Sequence, residues 1–140
     1  MELDFKGRVA IVTGAGGGLG RQHALALAAR GAKVLVNDLG GTLDGSGGSA
    51  SAAQAVADEI RAAGGEALAN GASVTDFAAV QAMVRQAVDA WGRVDILVNN
   101  AGILRDKSFA KMDMEDFALV VQVHLMGAAY CCKAVWPHMV

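Results

Sequence analysis

The sequence has few side chains that could cross-link the chain or hold a metal ion. Its only cysteines, Cys131 and Cys132, are adjacent in a stretch of helical pattern, so they are poorly placed to join distant parts of a fold. We interpret them as buried, reduced thiols of a cytosolic protein. The three histidines, His23, His124 and His138, lack the spacing of metal ligands. The sequence therefore predicts neither a disulfide framework nor a metal site.

Charge of one sign and long apolar runs are also scarce. Charged residues make up 19% of the chain and the formal net charge is −2, so we expect no nucleic-acid partner. Residues 1–6 lack the basic-then-apolar order of a secretory signal, and we expect a cytoplasmic protein. The longest uncharged run, residues 117–132, is shorter than the roughly 18 residues of a membrane span. It predicts a buried helix and no membrane partner.

Apolar residues are abundant, at 54% of the 140 residues. This share exceeds that of the usual soluble domain and suits a parallel sheet that is covered on both faces. Short β-branched runs alternate with longer helical patterns, which indicates βαβ units and the α/β class. The predicted strands are residues 8–13, 33–37, 66–70 and 94–99.

Helical spacing of apolar residues predicts four helices between and after these strands. They span residues 18–30, residues 50–63, a segment from Asp76 to Gly92, and a segment from Asp113 into the 130s. Pro137 is expected to end the last helix, because proline disfavours helix continuation. A Gly- and Ser-rich stretch at residues 40–51 predicts a flexible loop.

A glycine-rich turn joins the first predicted strand to the first predicted helix. Glycine lets backbone amides approach a pyrophosphate without interference from Cβ atoms, and the helix amino terminus adds partial positive charge. A plain turn has the same composition, but the strand–turn–helix context favours a phosphate site. The cofactor-binding candidates in it are Gly14, Gly16, Gly18, Leu19 and Gly20.

An acidic residue supports this interpretation. Asp38 closes the second predicted strand, eighteen residues after Gly20. That is close to the roughly 20-residue offset of the carboxylate that binds the adenosine ribose hydroxyls, although Asp38 could also be a turn residue. A carboxylate there would repel a ribose 2′-phosphate, and residues 14–20 hold no basic side chain to attract one. Both points favour NAD over NADP.

Two other nucleotide-binding classes use glycine-rich turns. A P-loop is excluded, because Arg21 and Gln22 follow Gly20 where a lysine and a hydroxyl residue are required. A methyl-donor-binding domain has both a glycine-rich turn and an acidic residue, so these two features alone leave it open.

A second motif resolves that choice through a family resemblance. The pattern from Thr13 to Gly20, followed by Asn99-Asn100-Ala101-Gly102 after the fourth predicted strand, resembles the short-chain dehydrogenase/reductase family. The resemblance implies a Rossmann-type, doubly wound parallel sheet, truncated after the fourth strand and its following helix. Residues 1–140 would then be the N-terminal, NAD-binding part of a single domain. An ordinary strand-end turn is the alternative for the second motif.

The resemblance also implies roles for individual residues. The glycine turn would bind the pyrophosphate, while Asn99, Ala101 and Gly102 would line the ribose side of the cofactor. Ser73 and Val74 would contact the adenine, with Ser73 standing where the family often has aspartate. Val74 could equally be a general core residue.

The family's catalytic Tyr-x-x-x-Lys pair is absent from these 140 residues. The only tyrosine, Tyr130, is followed four positions later by Ala134, so we interpret it as a packing residue. The family's proton-relay position, usually asparagine, corresponds to His124, which is either a relay residue or a helix-packing residue. We therefore expect the 140-residue chain to be catalytically inactive.

Within the family, the sequence resembles the (3R)-hydroxyacyl-CoA dehydrogenase region of peroxisomal multifunctional enzymes. His124 carries this resemblance together with residues 37–41 and 99–106. Residues 99–106 also resemble bacterial 3-oxoacyl-thioester reductases, which usually prefer NADP. The resemblance implies hydride transfer between NAD and a secondary alcohol, with a 3-hydroxyacyl-CoA as substrate and a homo-oligomer formed through the last helix. The alternative is a non-catalytic nucleotide-binding or interaction fragment.

Overall fold

A four-stranded parallel sheet forms the centre of the molecule. The computed structural model describes residues 3–40 and 51–140. The strands are β1 (Val9–Val12), β2 (Lys33–Asn37), β3 (Ala67–Asn70) and β4 (Ile96–Val98). They lie in the order β3-β2-β1-β4 and every pair is parallel. The predicted α/β fold with a parallel sheet is confirmed, with strand ends shortened by up to two residues.

Helices cover both faces of this sheet. They are α1 (Gly18–Ala29), α2 (Ser51–Ala62), α3 (Phe77–Trp91), α4 (Met114–Val121) and α5 (Gly127–Met139). A turn of 3₁₀ helix at Phe109–Lys111 was not predicted. The predicted Gly/Ser loop at residues 40–51 and the predicted first residue of α2 lie largely outside the described residues.

The two-residue period of β1 separates the core into two clusters. Ala10 and Val12 face the cluster that α1 and α2 cover, whereas Val9 and Ile11 face the cluster that α3 and α5 cover. All four side chains are buried, as expected for a strand that has helices on both sides. Packing on both faces therefore fixes the position of the carboxyl end of β1, from which the next segment of the chain starts.

Local signals set the ends of α3. The Asp76 side chain accepts a hydrogen bond from the Ala79 N–H at 3.1 Å, which caps the amino end. Gly92, at φ +78°, ends the helix in the left-handed conformation and donates to the Val88 carbonyl at 2.7 Å. Both ends agree with the sequence-based prediction.

The last helical segment differs from its prediction in two ways. A single helix runs from Met114 to Met139, with a π-helical turn at Gln122–Met126 between α4 and α5. Pro137 lies inside it, so the prediction that Pro137 ends the helix is wrong. Pro137 falls in the last turn, and the helix continues only two residues past it.

The prediction that this helix is buried is also wrong. In α4, the π turn and α5, the buried residues are Gly127, Cys131 and Val135, because the described chain covers only one side of the helix. By length and composition, Met114–Met139 is the one described helix that could cross a membrane, with 17% of its most apolar window buried. The absence of a membrane partner stays a prediction.

Candidate cofactor-binding cleft

A cleft of about 680 Å³ opens at the carboxyl edge of the sheet. Its size suits a small-molecule ligand, and in open α/β sheets ligands bind at this edge. The glycine turn, the end of β2, the segment after β3, the segment after β4 and the π turn all contribute to it. The lining residues used below are Gly14, Asp38, Leu39, Ala72, Ser73, Val74, Ala101, Gly102 and His124.

Most glycines of the turn are required by the protein's own packing. A Cβ at Gly14, where φ is +62°, would lie 2.8 Å from the Ala101 Cα atom. At Gly20 it would lie 2.4 Å from Asn100 Nδ2, and at Gly16 it would lie 2.8 Å from the Asp38 carboxylate. These three glycines let the turn pack against β2 and the segment after β4.

Gly18 and Leu19 have a different environment at the amino end of α1. A Cβ at Gly18 would meet nothing within 4 Å, yet its φ of +54° favours glycine, and the Leu19 side chain is exposed. The N-cap, Gly17, provides no side-chain hydrogen bond. The first-turn amides therefore lack a side-chain cap, and this end of α1 fits a pyrophosphate anion.

Asp38 ties the end of β2 to the glycine turn. Its Oδ2 accepts from the Gly16 N–H at 2.9 Å, and its Oδ1 accepts from the Gly40 N–H at 2.7 Å. The Ala15 N–H donates to the Asn37 carbonyl at 2.8 Å and reinforces this junction. Each carboxylate oxygen keeps capacity for a second donor, so Asp38 can accept from ribose hydroxyls while it holds the turn.

Thr13 and Asn100 organise the centre of the site, although they were not among the predicted site residues. Thr13 is 1% exposed, and its Oγ1 accepts from the N–H groups of Asn100 and Ala101 at 3.1 and 3.0 Å. Asn100 Nδ2 donates to the Gly14 carbonyl at 3.1 Å. A threonine directly after a buried strand and a doubled asparagine were the available signals, but their pairing depends on β1 and β4 being neighbours.

Asn99 occupies a different position from Ala101 and Gly102. The latter two line the cleft, and their contact with the cofactor ribose stays a prediction. Asn99 instead lines an adjoining cavity of about 100 Å³, and its Nδ2 donates to Cys132 Sγ at 3.4 Å. Asn99 therefore joins the start of the segment after β4 to α5, away from the cleft.

Ser73 and Val74 form part of the cleft on the β3 side. Ser73 Oγ lies 2.8 Å from Thr75 Oγ1 and accepts from the Thr75 N–H at 3.3 Å. Val74 is 8% exposed and so close to α5 that a Cβ at Gly127 would lie 2.7 Å from its Cγ2 atom. Val74 thus belongs to the core and to the cleft at once.

His124 lies in the π turn and lines the cleft. Its Nε2 lies 3.0 Å from the Ile103 N and 2.9 Å from the Ile103 O, so the tautomer decides whether it accepts or donates. A Cβ at Gly102 would lie 2.6 Å from the imidazole Cε1, so the imidazole packs directly against the Gly102 backbone. His124 is solvent-exposed and is not a core residue. Its relay role stays a prediction.

Two side chains that resemble reactive groups have packing roles. Tyr130 contacts Phe77 with ring centroids 5.2 Å apart, which agrees with its interpretation as a packing residue. Burial of Cys131, and secondarily the neighbouring Cys132, raises the pKa of the Cys131 thiol to about 11, so it is protonated at neutral pH. Within residues 3–40 and 51–140, no group of three metal-ligating side chains is found.

The parallel sheet, the uncapped helix after a glycine turn and the carboxylate at the end of β2 define a dinucleotide-binding domain of the Rossmann type. The family model for short chain dehydrogenases matches residues 8–140. The chain belongs to the short-chain dehydrogenase family. This is a family of NAD(P)-dependent oxidoreductases, and NAD fits it.

Relatives and a solved structure agree with this assignment. The peroxisomal hydratase-dehydrogenase-epimerase of Saccharomyces cerevisiae is 57% identical over 137 residues, covering 98% of this chain and 15% of the relative. The peroxisomal multifunctional enzyme type 2 of Drosophila melanogaster is 58% identical over 138 residues, covering 99% of this chain and 23% of the relative. The crystal structure of a short chain dehydrogenase from Mycobacterium avium has a TM-score of 0.87 and 51% identity. The match covers 95% of this chain and 48% of that structure's chain. The chain spans less than half the length of each. The resemblance to the peroxisomal multifunctional enzymes is confirmed.

Proposed function

We propose that the protein containing this chain transfers a hydride between NAD and a secondary alcohol, with a 3-hydroxyacyl-CoA as substrate. The observation that carries the proposal is the Asp38 carboxylate, which lies in the cleft and accepts the Gly16 N–H. A carboxylate at this position accepts ribose hydroxyls and repels a 2′-phosphate, which supports NAD rather than NADP.

The residues of this chain bind and orient the cofactor. The uncapped amino end of α1, at Gly18 and Leu19, would hold the pyrophosphate, and Asp38 would hold the adenosine ribose. When bound, NAD supplies the nicotinamide ring that accepts or donates the hydride. Ala101 and Gly102 line the cleft, and His124 fixes the Ile103 backbone beside it.

The proposed substrate class rests on similarity to two multifunctional peroxisomal enzymes, one of which is named a hydratase-dehydrogenase-epimerase. His124 at the family's relay position is the residue of this chain that supports the same assignment. We assign acyl-CoA oxidation to the whole protein, because residues 1–140 contain no Tyr-x-x-x-Lys pair.

A steady-state assay on the full-length protein tests the proposal. With a 3-hydroxyacyl-CoA, we expect reduction of NAD with a kcat/KM at least tenfold above that for NADP. Equal use of the two cofactors would contradict the role of Asp38. Turnover of other secondary alcohols but not of the acyl-CoA would contradict the substrate assignment alone.

We also propose a homo-oligomer and a cytoplasmic location. Phe117, Leu125 and Trp136 are 44%, 64% and 64% exposed along the last helix, and exposed apolar surface of this kind favours association. Cys131 and Cys132 are free thiols, which suits a reducing compartment. Light scattering of the full-length protein tests the first proposal, and cell fractionation tests the second.

A further inference from the structure

A chain of side-chain amides lies behind one wall of the cleft. Asn37 of β2 and Asn70 of β3 are register partners, and Asn37 Nδ2 donates to Asn70 Oδ1 at 2.9 Å. Asn70 Nδ2 donates to Gln86 Oε1 of α3 at 2.9 Å. Gln86 Nε2 in turn donates to the Ala69 carbonyl at 3.1 Å. The three amides therefore connect β2, β3 and α3 in one hydrogen-bonded series.

This amide series fixes Ala72, the first residue of the cleft wall formed by residues 72–74. The Ala72 N–H donates to Asn70 Oδ1 at 2.9 Å, and Asn37 Nδ2 donates to the Ala72 carbonyl at 3.0 Å. Because the N–H and the carbonyl of Ala72 are both hydrogen-bonded, the backbone at the start of the 72–74 wall is fixed in one orientation. The Asn70 carbonyl also accepts from the Asp38 N–H at 3.0 Å, so Asn70 contacts the residue proposed to bind the ribose as well.

A purely structural role explains only part of this arrangement. β3 lies at the edge of the described sheet, and Gln86 Nε2 supplies the donor that the Ala69 carbonyl needs there. The Ala69 carbonyl would have this donor even if Asn70 did not hydrogen-bond to Gln86 and so link it to the 72–74 wall. Asn37 is 1% exposed, where an apolar residue would pack without the desolvation cost of an amide. Linked amides instead give the directional contacts that orient Ala72.

We propose that Asn70 and Gln86 are positioning residues for the adenosine end of the dinucleotide. Neither residue lines the cleft, so each acts through Asn37 and Ala72 on the 72–74 wall. This inference rests on the proposed function, in which the adenosine lies between Asp38 and that wall. It assigns control of adenosine affinity to a helix residue that does not contact the ligand.

The test uses calorimetric binding of three probes to the full-length protein: NAD, ADP-ribose and nicotinamide mononucleotide. Gln86→Met keeps the side-chain length but removes the amide. We expect NAD and ADP-ribose to bind about fivefold more weakly, as for loss of one hydrogen bond, while nicotinamide mononucleotide binds unchanged. Asn70→Leu should have a larger effect, because it also frees the Ala72 N–H.

Two further variants separate positioning from general stability. Asn70→Asp keeps the oxygen that accepts from Asn37 and Ala72, so it should bind ADP-ribose better than Asn70→Leu does. Gln81→Met removes an amide from the exposed side of α3 and should bind all three probes normally.

Three outcomes would contradict the assignments. Unchanged ADP-ribose binding in both Gln86→Met and Asn70→Leu would overturn the positioning role. Equal weakening of all three probes would also overturn it, because that pattern indicates a general loss of structure. If the unmodified protein binds no dinucleotide, the proposed function itself fails, and this inference fails with it.

Discussion

At the scale of single residues, Asp38 has both an observed structural role and a proposed role in binding the cofactor. Its carboxylate accepts two backbone N–H groups, from Gly16 and Gly40, and also lines the cleft. Replacement of Asp38 therefore changes the charge of the cleft and releases the glycine turn together. A change of cofactor preference needs a second substitution that adds a partner for the 2′-phosphate.

We expect Asp38→Ala combined with Leu39→Arg to reverse the cofactor preference of the full-length protein. The first change removes the repulsion of a 2′-phosphate, and the second adds a guanidinium at a residue that lines the cleft. The ratio of kcat/KM for NADP to that for NAD should rise at least tenfold, about 1.4 kcal/mol. Asp38→Asn is the control, because it loses charge but keeps one acceptor oxygen. An unchanged ratio in the double variant would contradict the ribose role of Asp38.

Gly18 offers a matched comparison with a glycine remote from the cleft. Gly18 and Gly64 have φ values of +54° and +93°, and a Cβ at either would meet nothing within 4 Å. Gly18→Val and Gly64→Val should therefore each lower the free energy of unfolding by about 1–2 kcal/mol. Only Gly18→Val should abolish NAD binding, because its side chain would face the pyrophosphate. Normal NAD binding by Gly18→Val would place the phosphate site elsewhere.

At the scale of elements, α5 contacts the sheet and α3 through a narrow apolar strip. Cys131 and Val135 enter the cluster that contains Val80, Met83 and Val84 of α3, whereas Lys133 and Trp136 of α5 are exposed. Because the strip is narrow, the free energy of packing α5 depends on a few side chains. Cys131 makes that packing dependent on pH.

Stability should fall at alkaline pH because Cys131 resists ionisation in the folded protein. Burial raises the pKa of its thiol from 9.0 to about 11, so above pH 9 the unfolded chain loses the proton first. This contribution is fully present below pH 9 and is lost as pH rises toward 11, by at most about 1.4 kcal/mol per pH unit. Urea unfolding from pH 8 to 10.5 measures it.

Two cysteine variants assign this pH dependence. Cys131→Ala should be less stable at pH 8 but should show a shallower alkaline decline than the unmodified protein. Cys132→Ala, at the partly exposed neighbour, should largely keep the decline. Identical pH slopes in the unmodified protein and in Cys131→Ala would show that other groups cause the effect.

At the scale of the whole molecule, a polypeptide limited to residues 1–140 contains the candidate cofactor-binding cleft, an open sheet edge and an exposed apolar helix face. β4 lies at an edge of the described sheet, and apolar side chains of the last helix are exposed. Exposed strand edges and apolar faces both favour association. These residues also include no Tyr-x-x-x-Lys pair to exchange a proton with the substrate.

We expect this 140-residue polypeptide to show no turnover with saturating NAD and a 3-hydroxyacyl-CoA, and to associate in solution. An activity assay and light scattering on the same purified sample test both expectations, with the full-length protein as the control. A monomer with measurable turnover would contradict both. An inactive monomer would contradict only the expected association.

The features that follow from short-range patterns were predictable from the sequence. The spacing of Gly14, Gly18 and Gly20, and of Asp38 after them, predicts the glycine turn and the acidic residue that meets it, because both belong to one strand–helix–strand unit. The capping of α3 by Asp76 and Gly92 is equally local. Alternation of strands and helices was sufficient for the fold class, since each element spans a separate segment of sequence.

The remaining features depend on residues that are distant in sequence, and only the tertiary structure decided them. Asn100 meets Gly14 because β1 and β4 are neighbours, and Gln86 meets Asn70 because α3 packs beside β3. His124 of the π turn contacts the backbone of Ile103, which lies 21 residues earlier in the sequence. Residue periodicity indicates which face of an element is apolar but not which neighbour covers it. For that reason the sequence misjudged the burial of the last helix and could not reveal the amides behind the cleft.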